Sequence, residues 1–131
     1  MQLITQDILA DLCTQAKENP RLRQHSDLRN SADDCSQRIL NAMEPGTVLP
    51  IHRHMKSTET VIILKGKLEE TFYDENGNVT DCFVLTPGGK TVGINVPIGQ
   101  WHNSTALESD TVIFEAKDGK YEPLSETDIL K

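Results

Sequence analysis

Between Thr5 and Pro20 the apolar residues Ile8, Leu9, Leu12, Cys13 and Ala16 recur at the i, i+1, i+4, i+5, i+8 spacing that lines one face of a helix. The spacing predicts a helix over residues 6–18, capped by the Thr5 hydroxyl and stopped by Pro20. From Asn19 to Ser36 the pattern lapses. This stretch carries Arg21, Arg23, His25 and Arg29 but few large apolar side chains, which predicts an irregular connecting arm on the protein surface. After Ser36 the period becomes strand-like, with short segments at 37–43, 47–52, 58–65, 67–73, 79–85, 91–96, 101–107 and 111–117. Turn formers separate them: Glu44-Pro45-Gly46, Asp74 to Gly77, Pro87-Gly88-Gly89 and Pro97-Ile98-Gly99. Asn76-Gly77 is a strong hairpin signal. Short strands joined by tight turns predict an all-β sandwich or barrel. With 131 residues the chain is expected to form one domain, residues 1–36 being a helix and arm packed on a barrel of residues 37–131.

In the segment 58–65, Glu59, Val61 and Ile63 share one face and Thr60, Ile62 and Leu64 the other. If the first face looks inward, the second exposes two large aliphatic groups. The N-terminal helix or a second subunit is expected to cover them, so a homodimer is one expectation.

The net charge of -7 and pI near 5.0 argue against nucleic acid or an anionic membrane as partner and favour a small molecule. No basic start leads into an apolar run, and the longest apolar stretch is Val61, Ile62, Ile63, Leu64, so a soluble cytoplasmic protein is expected. Cys13, Cys35 and Cys82 are odd in number and far apart. They predict small buried or half-buried thiols in a reducing cytosol rather than a disulfide framework or a thiolate metal site.

Chemistry concentrates on four residues. His52 and His54 are one residue apart, which puts both imidazoles on one face of an extended segment. Glu59 follows across the polar turn of residues 55–58, and the Pro97-Ile98-Gly99 turn delivers His102 into another strand, with Trp101 expected to pack beneath that turn. Three imidazoles and a carboxylate form a mixed nitrogen and oxygen set suited to a divalent transition metal. An octahedral ion held by four such groups keeps two positions open, as catalysis or ligand binding requires, whereas a closed structural site is usually tetrahedral and thiolate-rich. Further pocket candidates are Glu115 and Lys117, which share a face with Ile113, and Tyr121 after the Asp118-Gly119 turn. Arg38 shares a face with Leu40 and Ala42; it is a fourth candidate, whose plainer role is a surface salt bridge.

The spacing Gly46, five residues, His52, one, His54, four, Glu59, six, Gly66 resembles the first signature of the cupin superfamily. Pro97, Gly99 and His102 meet its second signature in part, while Thr91 stands where that signature has Gly and Ala106 where it has Asn. More narrowly, QRILNAMEPGTVLPIHRH at 37–54, PIGQWHN at 97–103 and EAKDGKY at 115–121 look like the WbuC-type family of small cupin-fold metalloproteins, over most of residues 19–123 and including NPRLR at 19–23. The resemblance implies a jelly-roll barrel holding one divalent ion (iron, zinc, manganese or nickel) through His52, His54, Glu59 and His102. It also implies a link to bacterial surface polysaccharides, whose genes often lie beside those of family members. Three functions fit: Lewis-acid isomerase, epimerase or lyase chemistry on a small carbohydrate-like molecule, a mononuclear non-haem iron dioxygenase, and a non-catalytic metal-dependent ligand-binding module.

Overall fold

The computed structural model describes residues 1–131. A helix, α1 (Gln6–Glu18), is followed by eight strands: β1 (Arg23–Asp27), β2 (Ser36–Met43), β3 (Glu59–Lys65), β4 (Leu68–Tyr73), β5 (Val79–Leu85), β6 (Gly93–Val96), β7 (Trp101–Ala106) and β8 (Thr111–Asp118). One sheet has the order β1-β2-β8-β3-β6 and the other β5-β4-β7, with antiparallel neighbours throughout. Alternation decides which side chains meet between the sheets. Met43, Val61, Ile63 and Ile113 from the larger sheet bury against Leu68, Leu85 and Ala106 from the smaller. The result is a cupin jelly roll with an N-terminal helix: the hydrophobic pattern predicts the helix and an all-β sandwich or barrel, and the resemblance implies the jelly roll.

The helix starts where Thr5 Oγ1 accepts the Ile8 N–H and buries Leu9, Leu12, Cys13 and Ala16 against Leu40, Ala42 and Val112, on the outer face of β2 and β8. It does not cover β3: Ile62 is half-buried and Leu64 exposed. A bulge between Ile63 and Lys65 also takes Leu64 out of the pairing with β8. Gly66, directly after β3, has φ +80, and a Cβ there would collide with Thr111. The turn into β4 therefore needs glycine, which accounts for that residue at the end of the spacing noted above.

Three sequence expectations are corrected. Residues 23–27, expected to be irregular, form β1 at the edge of the larger sheet, registered from Arg23 opposite Met43 to Asp27 opposite Ile39. Its sequence RQHSD lacks apolar alternation because backbone pairing, rather than side-chain burial, holds it. Residues 47–52 do not form a strand. Pro50 has no N–H to give a ladder, and only His52 pairs, opposite His102 and Ile129. Of the thiols, Cys13 is buried, but Cys35 and Cys82 are exposed.

Candidate metal centre

The site lies at one end of the barrel, where the irregular segment before β3 crosses β7. His52 and His102 exchange two backbone hydrogen bonds, of 3.0 and 2.9 Å, so their side chains start from directly opposed positions. Their rings lie 4.4 Å apart, and the His54 ring is 4.9 Å from His52 and 5.5 Å from His102. Glu59, the first residue of β3 and 4% exposed, completes the group. One ligand atom from each of the four residues falls within 4.8 Å of the others.

The hydrogen bonds set this group up for metal rather than for itself. His52 Nδ1 lies 3.0 Å from the Pro50 carbonyl and His102 Nδ1 2.9 Å from the Gln100 carbonyl. Donation to those carbonyls fixes the tautomer that leaves an Nε2 lone pair facing inward. His54 Nε2 is 2.9 Å from Glu59 Oε2, yet neither it nor His102 Nε2 has a hydrogen-bond partner; the contact is close but not directed as a hydrogen bond. Buried nitrogens without partners are costly, and a cation between them and the carboxylate removes that cost. The donor set therefore fits a divalent ion.

The electrostatics agree. Burial and the His102 ring beside it lower His52 to about 4, and burial likewise lowers His102, so both imidazoles are neutral ligands near pH 7. Burial alone would raise Glu59. The nearby His54, Lys117 and His102 outweigh it and hold the carboxyl well below its usual range, ionised as a ligand must be.

Beside His52, His54 and Glu59 opens a cavity of about 680 Å³, while His102 is buried behind them. Glu115 and Lys117 line it from the inner face of β8, with Lys117 Nζ 3.6 Å from Glu59 Oε2. Burial and the Glu59 charge push Glu115 up to about 8 although it keeps some contact with the cavity. Tyr121 is exposed at the cavity edge. Arg38 is elsewhere. On the outer face of β2 it pairs with Asp34 at 3.1 Å and donates to the Leu28 and Ser36 carbonyls, so the salt bridge is its role. Trp101 carries the Arg53 guanidinium over its ring at 4.5 Å.

Two features escaped the sequence reading. Glu70 on β4 is wholly buried, with Oε2 accepting the Ser104 hydroxyl at 2.6 Å and Oε1 unpartnered. A carboxylate at the alternating position between Leu68 and Phe72 was the available signal. The other is the chain end, which clamps the histidine segment. Leu130 N–H donates to the Ile51 carbonyl at 2.8 Å, Arg53 N–H to the Asp128 carbonyl at 3.0 Å, and Arg53 Nε to Asp128 Oδ1 at 3.0 Å. Deleting residues 125–131 is expected to loosen His52 and His54 and to weaken metal binding by about 10- to 100-fold, the usual range for lost supporting contacts. Chelator competition measures this, and unchanged affinity would show that the clamp does not position the ligands.

A family model described as a domain of unknown function (DUF6016) matches residues 4–85. None of the curated proteins matches the sequence. Among solved structures, KdgF from Halomonas sp. superposes with a TM-score of 0.62 at 16% identity, over 79% of this chain and 84% of that one. Oxalate oxidase in complex with the substrate analogue glycolate gives 0.62 at 15% identity, over 80% of this chain but only 55% of that one. A cupin 2 domain-containing protein from Halorhodospira halophila gives 0.60 at 17% identity, over 78% and 68%. At these identities the likeness concerns the fold. No helix is long and apolar enough to cross a membrane.

Proposed function

The chain belongs to the DUF6016 family and has the cupin fold, and from that premise we propose that it is a metal-dependent protein acting on a small polar, carbohydrate-like molecule, of the WbuC type. The observation that carries this reading is the convergence of His52, His54, Glu59 and His102, with two buried imidazole nitrogens left unpartnered, in a cluster whose His52, His54 and Glu59 line an open cavity. A bound divalent ion would supply Lewis acidity, polarising a carbonyl or hydroxyl of the molecule in the cavity. The chain's own groups do the rest. Glu115, raised to about 8, holds a proton near neutrality that its carboxyl can give or take, and the Lys117 ammonium beside Glu59 orients a developing negative charge. A link to surface-polysaccharide chemistry belongs to the same proposal and rests on the sequence resemblance.

Elemental analysis of protein purified without chelator or affinity nickel, with oxygen uptake measured on the same sample, tests it. Near-stoichiometric zinc, manganese or nickel without oxygen consumption is the expected result. Iron with oxygen uptake would replace the reading with non-haem dioxygenase chemistry, and a chain free of metal would end it. Saturable binding of carbohydrates without turnover would reduce it to a binding module.

A further inference from the structure

Beside the metal-centre cavity lies a second one, of about 490 Å³, and the two share Arg23, Gln37, Asn41, Lys117 and Tyr121. They form one groove along the inner face of the larger sheet. Pairing lays out its course. Glu59 on β3 sits opposite Lys117 on β8, and Lys117 opposite Gln37 on β2; Asn41, on the same face of β2, sits opposite His25 on β1. With strands about 4.8 Å apart, the β1 end lies roughly 14 Å across the sheet from Glu59.

The charge in this second cavity is unlike that of the chain. The protein carries a net charge of -7, yet the lining brings together Arg21, Arg23, Arg29 and Lys117 with a single carboxylate, Asp27. That carboxylate is already taken. Arg29 Nε lies 3.0 Å from Asp27 Oδ1 and Arg29 Nη2 2.7 Å from Oδ2. Arg29, Arg38 and Arg53 each have a carboxylate partner, whereas Arg21 and Arg23 have none, and no side-chain hydrogen bond either. Both unpartnered arginines line this cavity, and Arg23 is half-buried. A half-buried guanidinium holds five donors in a fixed fork and loses water without a protein acceptor in return. An anion with two or more oxygens is the chemistry that answers it.

We infer that the β1 end of the groove binds the phosphate or carboxylate group of an elongated polar molecule, gripped by Arg23 and Arg21, whose other end reaches the metal centre. The link to the metal centre rests on the function proposed above; the anion site itself does not.

Titration calorimetry at low salt, on protein as purified and again after chelator treatment, separates the two. Inorganic phosphate, glucose 6-phosphate, glucuronate and glucose are the probes. Wild-type protein is expected to bind glucose 6-phosphate or glucuronate saturably and more tightly than glucose, with or without chelator, and the tighter of the two identifies the anionic group. Arg23→Gln should bind that ligand about tenfold more weakly. Arg38→Gln, which removes an arginine from the opposite face of the sheet, should bind it as wild type does. Equal binding of glucose and the anions, or equal affinity in Arg23→Gln and wild type, would overturn the anion site while leaving the metal centre standing. Anion binding that vanishes with chelator would place the anion on the metal and likewise overturn it. Anion binding that survives in protein found to carry no metal would keep the site and remove only the function it was joined to.

Discussion

Glu59→Ala is expected to cost the protein its metal, lowering affinity by more than about 100-fold, the upper end of what is lost when only a ligand's supporting contacts are removed. Glu59 is the single carboxylate donor beside three imidazoles, and it is 4% exposed. Its removal takes away one bond and also the local countercharge of a divalent ion, while the Lys117 ammonium, 3.6 Å from Glu59 Oε2, stays behind. In a site partly shut off from water that residual repulsion is poorly screened. Glu59→Gln keeps the shape and an oxygen donor but not the charge, and falls between wild type and alanine. Lys117→Met should retain the metal fully, because the ammonium repels the ion and donates nothing to it. Metal content after dialysis, with chelator competition for affinity and circular dichroism to confirm folding, measures all three. Full stoichiometry in folded Glu59→Ala would remove Glu59 from the ligand set.

What the sequence made legible follows from what holds each part in place. Helix α1 and strands such as β2, β3 and β8 could be read because each puts large side chains against a core, as with Leu9, Leu12 and Ala16 on Leu40 and Ala42, whereas β5, exposed everywhere except Leu85, could be read from the Asn76-Gly77 turn before it. The four clustered residues could be read because His52 and His54 share a face wherever the backbone is extended, whether or not the segment is a strand. Strand β1 was hidden because a polar edge strand is held by its backbone and leaves no hydrophobic period. That loss had a consequence: Arg21 and Arg23 read as surface charge on an arm, while pairing with β2 turns the same segment toward the groove. The clamp of the chain end on Ile51 and Arg53 was hidden for a related reason, since contacts between residues some 75 positions apart along the chain leave no local pattern.

Glu70→Gln is expected to stabilise the protein at neutral and mildly alkaline pH, by an amount that grows as pH rises. Glu70 is wholly buried, accepts one hydrogen bond from Ser104 and leaves Oε1 with no partner. Burial, then the charges of Glu59 and Glu115, push its carboxyl from 4.5 up to about 8, against the Ser104 hydroxyl, which lowers it. Between those two values the folded chain holds a proton that the unfolded chain has released, so folding takes up a proton and stability falls as pH rises. The contribution is intact below 4.5, where both states are protonated, and has been lost by about 8. Glu115, raised to about 8, acts in the same direction. His52, lowered from 6.5 to about 4, acts in the opposite one, adding stability as pH rises through that range. His102, lowered by burial as well, acts as His52 does, so the wild-type curve mixes all four, and the difference between wild type and Glu70→Gln isolates one. Glutamine keeps the shape and still accepts from Ser104 but has no proton to lose. In chelator-treated protein the melting temperature of the variant should exceed that of wild type by several degrees at pH 8, on the scale of a few kcal/mol, with the gap closing toward pH 4.5. Parallel curves across that range would show that Glu70 does not titrate there. Glu70 sits opposite Ser104, one same-face step along β4 from Phe72 opposite His102, so the buried carboxyl that this comparison isolates belongs to the strand position next to the candidate metal centre.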